Sequence, residues 1–108
     1  MLKEFIEKIN GLKVYERRNI TDEYCEVVLN NKDMNEWNGI FTGMFGAAAK
    51  PPKAKPTKED ESLTKKYGGL SIHQTLYKKD FEGVTVIAML WPWQDDEHTT
   101  LKVACFRN

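Results

Sequence analysis

Residues Val84 to Trp91 read Val-Thr-Val-Ile-Ala-Met-Leu-Trp, largely apolar at both parities of a two-residue repeat. A strand points successive side chains to opposite faces, so this run needs cover on both sides and predicts a central strand. Its neighbours look half-buried. Downstream, Leu101, Val103 and Cys105 alternate with Lys102 and Ala104; upstream, Leu70, Ile72 and Leu76 share one face, with Ser71, His73, Thr75 and Tyr77 on the other. Asp80-Phe81-Glu82-Gly83 has turn chemistry, so these three runs predict a C-terminal antiparallel meander.

Two further strands are expected earlier. Leu12–Arg17 alternates with period two, and Tyr24–Leu29 is β-branched with Cys25, Val27 and Leu29 on one face. Asn19–Glu23 connects them, and the polar stretch Asn30–Asp33 ends the second. An amphipathic helix precedes this hairpin, with Leu2, Phe5, Ile6 and Ile9 at helical spacing, Lys3 set to pair with Glu7 and Glu4 with Lys8, and Gly11 at its C-cap. A second helix follows it. Asp33 and Glu36 have the form of a capping box, and Met34, Trp37, Phe41, Met44, Phe45 and Ala48 recur every three or four residues. Gly39, Gly43 and Gly46 interrupt that helix at about 1 kcal/mol each relative to alanine, so each requires a reason. The Gly39-x-x-x-Gly43 spacing resembles a small-residue helix-packing motif, a spacing also common by chance outside membranes.

From about residue 46 to 62 the chain is rich in lysine, proline and alanine, and it reads as a mobile linker or loop within a single domain spanning 1–108. Thr57 to Asp60 opens a short helical turn that runs to Lys66, with Leu63 as its aliphatic anchor and Gly68-Gly69 as its stop. The order α-β-β-α-loop-β-β-β predicts an α+β fold: an antiparallel sheet of four to five strands with two helices packed on one face. The other face, carrying Tyr15, His73, Tyr77, Ile87 and Met89, is too apolar to meet water, and a second copy in a homodimer is its expected cover.

Sixteen basic residues balance sixteen acidic ones, which argues against a dedicated nucleic-acid or anionic-membrane binder. Neutrality is a sum of parts. The stretch from Lys50 to Lys66 carries excess lysine, but it lacks arginine and interleaved aromatics for base contacts. Charges interrupt the first eight residues, so no signal-peptide core is expected there, and Ile40–Ala49 is about half of the ~20 residues a membrane span needs. Cys25 and Cys105 lie in strand-like runs and are expected as reduced thiols of a cytoplasmic protein.

Four residues are candidate binding groups. Trp91 and Trp93 flank Pro92 at a strand end beside Asp95-Asp96-Glu97-His98, where indoles either cover the core or form a recognition loop. The acidic turn lacks calcium-loop spacing, no zinc-type Cys or His spacing occurs, and the Gly39/Gly43/Gly46 series lacks the Lys-Ser/Thr of a phosphate loop, so no metal or cofactor is expected. His73 and Tyr77 resemble an acid–base pair, but no nucleophile elbow, reactive-cysteine signature or carboxylate pair accompanies them. Two functions follow as expectations. One is a non-catalytic protein-binding or regulatory module that self-associates. The alternative is a small-ligand-binding protein or small enzyme with a pocket between sheet and helix near His73 and Tyr77.

Overall fold

The structure, a computed structural model, describes residues 2–21, 23–81 and 83–107. Asp22 and Glu82, expected in turns, and the side chains of Leu2 and Lys3, expected on the first helix, lie outside the described residues, as do those of Asn10, Phe81 and Arg107. The elements run α1 (Leu2–Asn10), β1 (Glu16–Ile20), β2 (Tyr24–Asn30), α2 (Met34–Phe45), α3 (Lys58–Thr64), β3 (Thr75–Phe81), β4 (Val84–Pro92) and β5 (His98–Arg107). All five strands form one antiparallel sheet in the order β1-β2-β5-β4-β3. The fold is therefore α+β. The meander β3-β4-β5 is present, and the run apolar at both parities, β4, is an interior strand with both neighbours paired.

Helices α1 and α2 cover one face. Phe5, Ile6 and Ile9 from α1 and Trp37, Phe41 and Phe45 from α2 pack on Cys25, Val27, Leu29, Val86, Ala88, Leu101 and Val103. Ring packing joins the layers: Phe5 meets Phe45 edge-on at 5.8 Å, and Phe41 lies 5.3 Å from Tyr77. At roughly 1.5–3 kcal/mol per fully buried large apolar side chain, this layer is the main source of stability.

The opposite face is covered by the chain itself. Leu76, Ile87, Met89 and Ala104 are buried there beneath Tyr67 and Leu70, with Tyr24, Trp91 and Phe106 alongside. Tyr67 stacks on Tyr24 at 5.2 Å. The segment that supplies this cover, residues 50 to 74, includes much of the lysine- and proline-rich stretch. Lys50 exchanges both backbone hydrogen bonds with Leu76 on the free edge of β3, at 3.1 and 3.0 Å. Lys50 as a residue is only 1% exposed, and its ammonium donates to the carbonyls of Pro51, Ile72 and Gln74. Thr57 then caps α3 reciprocally with Asp60, at 3.1 and 2.9 Å, so the capping box stands here. The apolar face that called for a second copy thus already has an intramolecular cover.

Several boundaries differ from the expectation for local reasons. Asp33 makes no capping hydrogen bond, because a 3-10 turn over Asn31–Asp33 leads directly into α2. The first strand starts at Glu16, since Leu12 and Val14 turn towards the helix-side core before pairing begins. The third starts at Thr75: Gln74 interrupts the Leu70/Ile72/Leu76 alternation and closes a turn with Ser71 through bonds of 3.2 and 2.8 Å. Tyr77 pairs with Ala88, which places it on the helix-covered face, opposite Ile87 and Met89.

Candidate functional site

An irregularity in the edge strand builds the most exposed aromatic cluster. Between β1 and β2 the register steps from Arg17↔Val27 to Asn19↔Glu26, which leaves Arg18 as the extra residue of a bulge. Bulges re-aim side chains, and the Arg18 guanidinium stands 5.5 Å from the Trp93 ring centroid. Glu16 Oε2 accepts from Arg18 Nε at 2.6 Å, and Glu26 lies 3.7 Å from the guanidinium on the other side. Glu26 in turn accepts from the Tyr24 hydroxyl at 2.7 Å. Burial, reinforced by Glu26, raises the Tyr24 hydroxyl pKa well above the usual tyrosine value.

Trp93 follows Pro92 at the end of β4, and its Nε1 donates to Thr100 Oγ1 at 2.8 Å, which fixes the indole. The loop beyond is organised by Asp95. One carboxylate oxygen accepts from the amides of Glu97 and His98 at 2.9 and 3.0 Å, and the other meets His98 Nδ1 at 2.6 Å. The His98 bond, followed by the backbone amides, holds the Asp95 carboxyl below its ordinary pKa. His98 is thereby held 5.1 Å from Trp93 and 3.9 Å from Tyr15 between ring centroids. Tyr15 meets Trp93 edge-on at 6.4 Å and remains 56% exposed. The result is a surface of three aromatic rings and a guanidinium, with the polar groups anchored beneath or beside them.

The other sequence candidates sit elsewhere. Trp91 is half-buried in the cover of the second face, with the Lys102 ammonium 3.5 Å from its ring centroid and Gly68 against its edge. Burial lowers the Lys102 pKa, and its Nζ donates to the Tyr67 carbonyl at 3.0 Å. Trp91 Nε1 is buried without a hydrogen-bond partner among the described residues. Tyr77 is buried between sheet and α2 against Phe41 and Phe45, and burial raises its pKa. His73 is exposed in the turn before β3, so the structure does not bring the two together. The space expected for a ligand between sheet and second helix is filled by Phe41, Phe45 and Tyr77 themselves.

Asp95, Glu97 and His98 have ligand atoms within 4.8 Å of one another, the geometry a metal ion would need. The bond between Asp95 and the His98 ring accounts for the approach of those two groups without one. Cys25 and Cys105 are free thiols, and no described helix is long and apolar enough to cross a membrane. Comparison of the chain with family profiles, curated proteins and solved structures finds no match.

Sequence reasoning singled out Trp93 but not the Arg18, His98 and Thr100 that position it. Two signals were present. The Arg17-Arg18 pair ends the alternation of the preceding residues, and Asp95-x-x-His98 is the spacing of a side chain that caps its own turn.

Proposed function

We propose that this protein is a non-catalytic protein-binding module whose recognition surface is formed by Tyr15, Trp93, His98 and Arg18. The observation that carries this reading is the exposed Tyr15 ring set edge-on against the half-buried Trp93 beside the bulged Arg18. Tyrosine, tryptophan and arginine dominate binding hot spots because each buries a large area while offering a directed polar group. Here the hydrogen bond of Trp93 to Thr100 and the ion pair of Arg18 with Glu16 restrain these side chains before any partner arrives, which lowers the entropy lost on association. Tyr15 offers the area not yet buried.

The test places a photo-crosslinking amino acid at Gln94, the exposed residue that follows Trp93, in otherwise wild-type protein and in Tyr15→Ala, Trp93→Ala and Arg18→Ala backgrounds expressed in the native host. A defined protein captured by the wild type and lost from all three folded variants supports the reading. Equal capture by wild type and variants, or the absence of any specific adduct, overturns it.

A further inference from the structure

The outer surface of the helix layer holds a groove of about 340 Å3 between α1 and α2, away from the Trp93 cluster. Phe5, Ile40 and Met44 line it, and Gly39 and Gly43 open it from the α2 side. A Cβ added at either glycine would meet nothing within 4 Å, so packing inside this chain does not require them. Each nevertheless weakens the helix by about 1 kcal/mol relative to alanine. Close approach of a second backbone is the physical use that bare glycines four residues apart on a helix face permit.

The charges at the rim identify the occupant. Glu4 and Lys8, one turn apart on α1, line the same groove, and neither takes part in an ion pair among the described residues. A two-fold axis passing beside residue 6 sets residue 4 of one copy against residue 8 of the other. Glu4 then faces Lys8 twice, once on each side of the axis, as a self-complementary isologous contact requires. The geometry points to a symmetric homodimer in which the α1–α2 grooves of two copies face one another, with Ile40 and Met44 of each copy seated over the glycines of the other.

The patch is small. A helix of this length extends about 18 Å, and two helices packed 8–10 Å apart present roughly 350 Å2 per copy, below the ~800 Å2 of a standard interface. An interface of this size is that of a weak, transient contact, so dimerisation is expected only at high protein concentration. This proposal is independent of the Trp93 surface.

Sedimentation equilibrium of the full chain up to about 1 mM tests it, with thermal unfolding of every variant alongside. Wild type is expected to dimerise reversibly and more weakly at high salt. Gly39→Ala/Gly43→Ala should raise the Tm, through better helix propensity, while weakening association by about tenfold or more. Lys8→Glu should weaken association by opposing like charges, and Glu4→Lys/Lys8→Glu should restore it, a recovery that loss of folding cannot imitate. A wild type that stays monomeric, association unchanged in the glycine variant, or a charge swap no better than Lys8→Glu overturns the proposal.

Discussion

Gly68 packs against the Trp91 ring so closely that a Cβ on it would lie 2.4 Å from Cη2 of the indole. With φ at +104°, the backbone at Gly68 is also in a region that other residues rarely adopt. The pair joins the end of the α3 segment to the second sheet face. Gly68→Ala therefore has to displace either the indole or the turn, and a loss of about 2–4 kcal/mol is expected. Urea unfolding followed by tryptophan fluorescence measures it, and a midpoint within error of wild type would contradict this packing.

Lys50 anchors the start of the same covering segment through its ammonium and its backbone pairing to Leu76. Lys50→Met keeps the length of the side chain but removes the ammonium that bonds the Gln74 carbonyl and leaves the Ile72 carbonyl with the Lys53 amide alone, at about 1–3 kcal/mol. Amide hydrogen exchange should show increased opening of residues 50–74 and of the free edge of β3, with α1 and α2 less affected. Uniform loss of protection across the whole chain would contradict a local anchor.

Burial pushes the Cys25 thiol from 9.0 up to about 11, with Arg17 opposing and Glu26 adding to the effect. Between these values the unfolded chain has released a proton that the folded chain retains. Stability from this group is thus complete below pH 9 and declines as pH rises towards 11, by roughly 2 kcal/mol at about 1.36 kcal/mol per unit. Lys50 and Lys102, whose pKa values burial lowers, act with the opposite sign below the ordinary lysine value. Subtracting the stability profile of Cys25→Ala from that of wild type removes those shared terms. A difference that stays flat from pH 8 to 11 would exclude the thiol contribution.

The Trp93 cluster should divide into a support and a contact surface. Tyr15→Ala removes an exposed ring and is expected to change stability by less than about 1 kcal/mol, and Arg18→Ala removes an exposed, solvent-screened ion pair and is expected to leave the midpoint unchanged. Trp93→Ala also removes the bond to Thr100 and is expected to cost about 1–3 kcal/mol. Chemical denaturation ranks the three variants, and a Tyr15→Ala midpoint lowered as far as that of Trp93→Ala would make the cluster a single structural unit.

The capping signals illustrate how far local pattern reaches. Thr57-x-x-Asp60 forms its reciprocal cap, whereas Asp33-x-x-Glu36 does not, because Asn31 already bonds to Glu97 and Thr99 across the sheet end and winds the chain into a 3-10 turn. The two spacings look alike in sequence, and a contact 66 residues away distinguishes them. Tyr77 was legible as a strand residue opposite Leu76, but not the face it occupies, since helices can pack on either side of a strand that alternates tyrosine with leucine.

Periodicity and turn chemistry by themselves determined the α+β class, the meander, the interior position of β4 and its need for cover on two sides, because these follow from side-chain alternation within a few residues. What provides the second cover was decided only in three dimensions. Residues 50–74 contain few large apolar groups, and their affinity for the sheet resides in the backbone carbonyls that converge on Lys50, in Tyr67 stacking on Tyr24 and in Gly68 meeting Trp91. The bulge that turns Arg18 towards Trp93 is likewise a property of strand pairing. Such contacts join residues far apart in the chain, and no local spacing encodes them.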